Sequence, residues 1–91
     1  MAEVTLVLPR ILGDVLGAGR MRVRAATLRQ ALEEACRREP ALGFHLFEAP
    51  GRLREHVLCF VNGTSHREMR SLEAPIKDGD EISILQAISG G

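Results

Sequence analysis

Only one stretch of this chain repeats its apolar residues at helical spacing, and strand-like segments lie on both sides of it. Leu28, Ala31, Leu32, Ala35 and Cys36 recur near the α-helical period, with Arg29, Gln30, Glu33, Glu34, Arg37 and Arg38 between them. Thr27 stands where an N-cap belongs and Pro40 where a helix stops, which predicts a helix over about residues 28 to 39. Before it, Val4, Leu6 and Leu8 alternate with Glu3, Thr5 and Val7, and Met21 and Val23 alternate with Arg20, Arg22 and Arg24. Alternation of this kind marks half-buried strands. After it come Val57-Leu58-Cys59-Phe60-Val61, the tight-turn pair Asn62-Gly63 with a short strand beyond, and Ile82, Ile84 and Leu85 following the turn Asp78-Gly79-Asp80. Five strands and one helix cannot cover both faces of a parallel α/β sheet. The expected class is therefore α+β, a mixed sheet of about five strands packed on one main helix.

Two segments carry no clean period. The stretch with Pro9, Gly13, Gly17 and Gly19 reads as a loop inside a hairpin of the first two strands. Residues 41 to 55, with Gly43, Pro50 and Gly51, read as a connection holding a short helical turn around Leu42 to Phe47. The chain of 91 residues has room for one core, which we divide into a domain over 1–88 and a flexible arm over 89–91.

Charge narrows the partners. Twelve Lys and Arg balance twelve Asp and Glu, without the basic excess that phosphate-backbone binding uses, so nucleic acid is not expected. No apolar run approaches the ~18 residues of a membrane span, and Ala2 and Glu3 stand where a signal peptide is expected to have a basic and then an apolar stretch. Together with two cysteines lying apart in apolar patterns, this gives a cytoplasmic protein as the expectation. Arg20, Arg22 and Arg24 share one strand face; protection of an edge strand is the default reading, and docking of an acidic partner is the other.

Catalytic chemistry finds no footing. Cys36 lies on the helix stripe and Cys59 on the face of Val57 and Val61, so both read as core thiols and not as nucleophiles paired with His45, His56 or His66. No Cys-x-x-Cys or His-x-x-x-His spacing suggests a metal, and Gly13, Gly17 and Gly19 lack the Lys-Ser/Thr of a phosphate loop. The expectation is no catalytic residue, no metal and no bound cofactor. What stands out is Ser89-Gly90-Gly91, directly after an apolar strand. Glycines without Cβ atoms can enter a narrow channel and expose a terminal carboxylate to another protein's active site, although an ordinary frayed end would also read this way.

The order of these elements, with Val61-Asn62-Gly63, Leu72 and Ile76 before Asp78-Gly79-Asp80-Glu81-Ile82, and Ile84-Leu85 before Ala87-Ile88-Ser89-Gly90-Gly91, resembles the ThiS/MoaD sulfur carriers. Leu8-Pro9-Arg10-Ile11-Leu12 and Pro50-Gly51-Arg52-Leu53-Arg54 look most like the sulfur carriers of bacterial cysteine biosynthesis, with the small subunits of molybdopterin synthase next. The resemblance implies a ubiquitin-like β-grasp fold. It also implies that an E1-like adenylating enzyme uses ATP to activate Gly91, that sulfur displaces AMP to leave a thiocarboxylate, and that a cysteine synthase-like enzyme or a molybdopterin synthase large subunit accepts the sulfur. Gln86 departs from the family, which often has proline before the tail.

Strand alternation adds a surface to this expectation. With Val57, Cys59, Val61, Ile82 and Ile84 facing the helix, Leu58, Phe60, Ser83 and Leu85 face away, and exposed Leu58, Phe60 and Leu85 would form a docking patch. Two further functions use the same residues differently: a ubiquitin-like modifier joined through Gly91 to protein lysines, and a plain interaction module with incidental glycines.

Overall fold

A computed structural model of the chain describes residues 1–17, 19–69 and 71–86. The elements in chain order are β1 (Ala2–Val7), α1 (Arg10–Leu16), β2 (Arg20–Ala25), α2 (Leu28–Arg38), α3 (Pro40–Leu46), β3 (Phe47–Ala49), β4 (Arg52–Leu53), β5 (Val57–Val61), β6 (Thr64–Ser65), α4 (His66–Met69) and β7 (Glu81–Gln86). Among the described residues, five strands form one mixed sheet in the order β2-β1-β7-β5-β6, and β3 and β4 form a separate two-stranded ribbon. β1 pairs with β7 in parallel and the other neighbours of the main sheet are antiparallel. The expected α+β class and the β1–β2 hairpin pairing are both present.

Helix α2 forms because its ends are satisfied as well as its face. Thr27 Oγ1 accepts from the Gln30 N–H at 3.2 Å and Gln30 Oε1 accepts from the Ala26 N–H at 3.0 Å, a reciprocal cap of the kind a Thr-x-x-Gln sequence supports. The Leu28 and Arg29 amides, unpaired within the helix, donate to the carbonyls of Ala74 and Leu72. Leu28, Ala31, Leu32 and Ala35 are buried against the sheet, where they meet Val4, Leu6, Val23, Val57, Cys59, Ile82 and Ile84 in one core.

Two expectations need correction. The segment after Pro9 is not simply a loop: Arg10–Leu16 is helical, closed by Gly17 in the left-handed region at φ 76°, and Leu12 is fully buried. Pro9 sits just before the helix and cannot break it, and the Gly17 conformation is one that ends helices. Likewise, Pro40 ends α2 only by opening α3, at the first-turn position where a missing N–H costs nothing. The helical turn expected around Leu42 to Phe47 is a seven-residue helix with Leu42 and Leu46 in the core, and the rest of the connection is the β3–β4 ribbon turning at Pro50-Gly51.

The turns flanking the last strands behave as their sequences demand. Asn62 and Gly63 both have positive φ, 50° and 91°, the geometry of a two-residue hairpin between Val61 and Thr64. Asp80 fastens this hairpin to the sheet end. Its carboxylate accepts from Asn62 Nδ2 at 2.8 Å and from the Lys77 N–H at 2.8 Å, while Asn62 Oδ1 accepts from the Glu81 N–H at 2.9 Å.

Candidate functional site

The sheet has one face on α2 and one facing outward, and the outward face carries a gradient from apolar to basic. At its β5–β7 side, Leu58 lies directly opposite Leu85, and Phe60 opposite Ser83. Val57, Cys59, Ile82 and Ile84 are buried on the inner face, and Val61 is half-buried against the same core. Leu85 is 47% exposed, whereas Leu58 and Phe60 are half-buried, less open than the sequence pattern suggested. Their cover comes from the neighbouring strands: Phe60 also faces Ser65 of β6. The structure thus brings Leu58, Phe60 and Leu85 together on one face.

A row across the sheet extends this patch to residues that the sequence reading left out. Ser83 lies beside Val7 on β1, and Val7 beside Arg20 on β2. Val7 therefore links the apolar end to the arginines, and its shared phase with Glu3 and Thr5, opposite to Val4, Leu6 and Leu8, was the available signal. Phe44 was also missed; it stands 76% exposed on α3, with its carbonyl accepting from Arg54 Nε at 2.9 Å, in a segment whose helix was too short to show a period.

Among the described residues, neither cysteine is an activated nucleophile. Burial pushes the Cys36 thiol up to about 11, with the Glu33 charge acting in the same direction, and burial pushes the Cys59 thiol up to about 12. Neither is an appreciable thiolate at neutral pH, and the thiolate is the nucleophile. Cys59 is buried, as its strand position predicted, while Cys36 at the flank of the helix stripe is half-buried. His66 Nδ1 accepts from the Cys59 N–H at 3.1 Å and so has a structural partner. Among the described residues no group of three or more His, Cys, Asp and Glu side chains is arranged to hold a metal ion, and no helix is long and apolar enough to cross a membrane.

Ser89, Gly90 and Gly91, proposed from the sequence as the reactive arm, lie outside the described residues, as does the boundary at residue 88. The last described residue, Gln86, ends β7 beside Val57.

The ThiS family pattern matches residues 18–91. Small archaeal modifier protein 1 of Methanosarcina acetivorans is 30% identical, with a TM-score of 0.89 over 100% of this chain and 98% of that one. A chain from the BexX/CysO complex of Amycolatopsis orientalis is 29% identical, with a TM-score of 0.84 over 97% of this chain and 99% of that one. A candidate sulfur carrier protein of Archaeoglobus fulgidus is 35% identical over 46 residues, 50% of this chain and 52% of the relative. That last match spans about half the relative's length. A family pattern covering most of the chain, carried on a five-stranded mixed sheet over one main helix, has one reading: the chain belongs to the ThiS family of ubiquitin-like β-grasp proteins.

Proposed function

We propose that this chain is a sulfur carrier that works through its Gly91 carboxylate. An E1-like enzyme directs a carboxylate oxygen onto the α-phosphorus of ATP and pyrophosphate leaves. Sulfide then attacks the acyl carbon of the adenylate and AMP departs, leaving a thiocarboxylate nucleophile. ATP belongs to that partner's site, and this chain supplies the carboxylate and a recognition surface while the partner supplies the catalysis. The acceptor is a biosynthetic enzyme, cysteine synthase-like in the first instance and a molybdopterin synthase large subunit in the second. The observation that carries this reading is the Leu58–Leu85 pair on the outward sheet face, close to the point where β7 leads into the Gly-Gly segment. From Gln86, five residues reach at most about 18 Å, so a partner that activates Gly91 has to bind this end of the sheet.

The test is incubation with a matching activating enzyme, ATP and sulfide, read as replacement of one oxygen by sulfur in the intact mass. Deleting Gly91 or extending the chain beyond it abolishes the product on this reading. Gly90→Val impairs it with the fold intact, because a β-branched side chain restricts the backbone and widens it. Leu85→Glu weakens partner binding while leaving the unfolding midpoint near that of the parent, since a buried unpaired carboxylate is costly at an interface. Activation of an extended chain as fast as the parent, without trimming, would refute the mechanism.

A second reading has its own support in the likeness to small archaeal modifier protein 1: conjugation of Gly91 to protein lysines. The two readings separate on product. Isopeptide-linked conjugates in place of a thiocarboxylate would favour the modifier.

A further inference from the structure

β2 is one of the two outer strands of the sheet, and its arginines coincide with the backbone groups that point away from the sheet. Leu8 donates to the Gly19 carbonyl at 2.8 Å, and the register continues as Leu6 with Met21 and Val4 with Val23. In an antiparallel ladder these alternate pairs exchange both backbone bonds, so the N–H and C=O groups of Arg20, Arg22 and Arg24 point away from β1. The Arg38 side chain, reaching across from the end of α2, donates to the outward carbonyl of Arg22, which confirms the direction of that group and is a contact that an added strand displaces. The three arginine side chains lie 69%, 79% and 75% exposed on the outward sheet face. Their ion pairs are long and shared: Arg22 and Arg24 both reach Glu3, at 3.5 Å and 3.8 Å, and Arg20 reaches Glu81 at 3.9 Å. Three guanidinium groups thus face two carboxylates, and a groove of about 260 Å³ lined by Glu3, Arg22, Val23, Arg24 and Arg38 runs along the edge.

We infer that this edge receives an extended acidic segment of another protein, which adds to the sheet as a sixth strand with its carboxylates over Arg20, Arg22 and Arg24. The backbone bonds hold such a segment and the alternate side chains select it. Charge identifies the occupant. Two copies of β2 paired edge to edge would set arginine rows against each other, and like charges directly opposite are destabilising. The same row that excludes a second copy attracts a strand with acidic residues at every other position. β2 lies two strands away from β7, so the acidic segment leaves Leu58 and Leu85 open. The inference is independent of what happens at Gly91.

The experiment uses the whole chain and a capped Glu-Val-Glu-Val-Glu-Val peptide, followed by residue-resolved amide hydrogen exchange. The expected result is slowing of exchange at Arg20, Arg22 and Arg24 by about tenfold or more at saturating peptide, because their amides gain backbone partners. Met21 and Val23, already paired to β1, stay as they were. A Lys-Val peptide of the same length gives no protection. The triple variant Arg20→Ser, Arg22→Ser and Arg24→Ser, whose fold is checked by its unfolding midpoint, binds the acidic peptide at least about tenfold more weakly. Binding that leaves the three amides unprotected would reduce the site to charge attraction and overturn strand addition. Absence of binding at low salt, or protection that rises with protein concentration alone, would overturn the acidic partner.

Discussion

His66 is the side chain whose charge state is tied most directly to the backbone. Its Nδ1 accepts from the Cys59 N–H, and an imidazole protonated on that nitrogen has no lone pair to offer. Burial holds His66 below its ordinary value, and the Arg67 charge acts in the same direction. A group with a depressed folded value gives stability that is complete above its unfolded value and lost as pH falls through the folded one. As pH falls from about 7.5 to about 5.5, through the ordinary histidine value, the unfolded chain takes up a proton that folded His66 resists, and the parent loses stability. His66→Gln, which retains an acceptor and cannot titrate, has a flatter profile over this window. Chemical denaturation at both pH values measures the difference, and parallel profiles for parent and variant would remove His66 from the pH response.

Helix α2 shows what one stripe contributes. Leu32 is at its centre and fully buried between the helix and the sheet, so Leu32→Ala is expected to cost about 2 to 5 kcal/mol. An unchanged urea midpoint would place Leu32 on the wrong face. This helix was legible in the sequence because Thr27 and the Leu28, Ala31, Leu32, Ala35 spacing agree on one answer. In α1, Pro9 and the glycines at 13, 17 and 19 pointed to a loop, and its seven residues are fewer than two turns, too few to reveal a period; only packing around Leu12 decides it. In α3 the Leu42–Leu46 spacing was a correct but faint signal. Strand alternation placed Leu58, Phe60 and Leu85 on one face, but their degree of exposure depends on which strands flank β5, namely β6 and β7. The reach of Arg38 to the β2 edge is tertiary, and nothing in local spacing encodes it.

At the scale of the molecule, the fold is closed by contacts between its distant parts. The Glu3 N–H donates to Asp78 Oδ1 at 2.7 Å across 75 positions of chain, and the Asp80 carbonyl accepts from Thr5 at 3.1 Å. Asp80 thus joins β1, the turn before β7 and the Asn62 hairpin. Asp80→Ala removes its two side-chain bonds and is expected to cost about 1 to 3 kcal/mol. The urea midpoint falls while the slope of the transition stays constant, as it does when stability alone changes; an unaltered midpoint would mean that solvent replaces those bonds without loss. The parallel pairing of β1 with β7 also has a meaning during synthesis. On the ribosome the first strand emerges long before its central neighbour exists, and it can pair only with β2 until residues 81 to 86 have been made. Leu85 is itself on that late strand, so a chain halted before it has neither the finished sheet nor the apolar pair across β5 and β7.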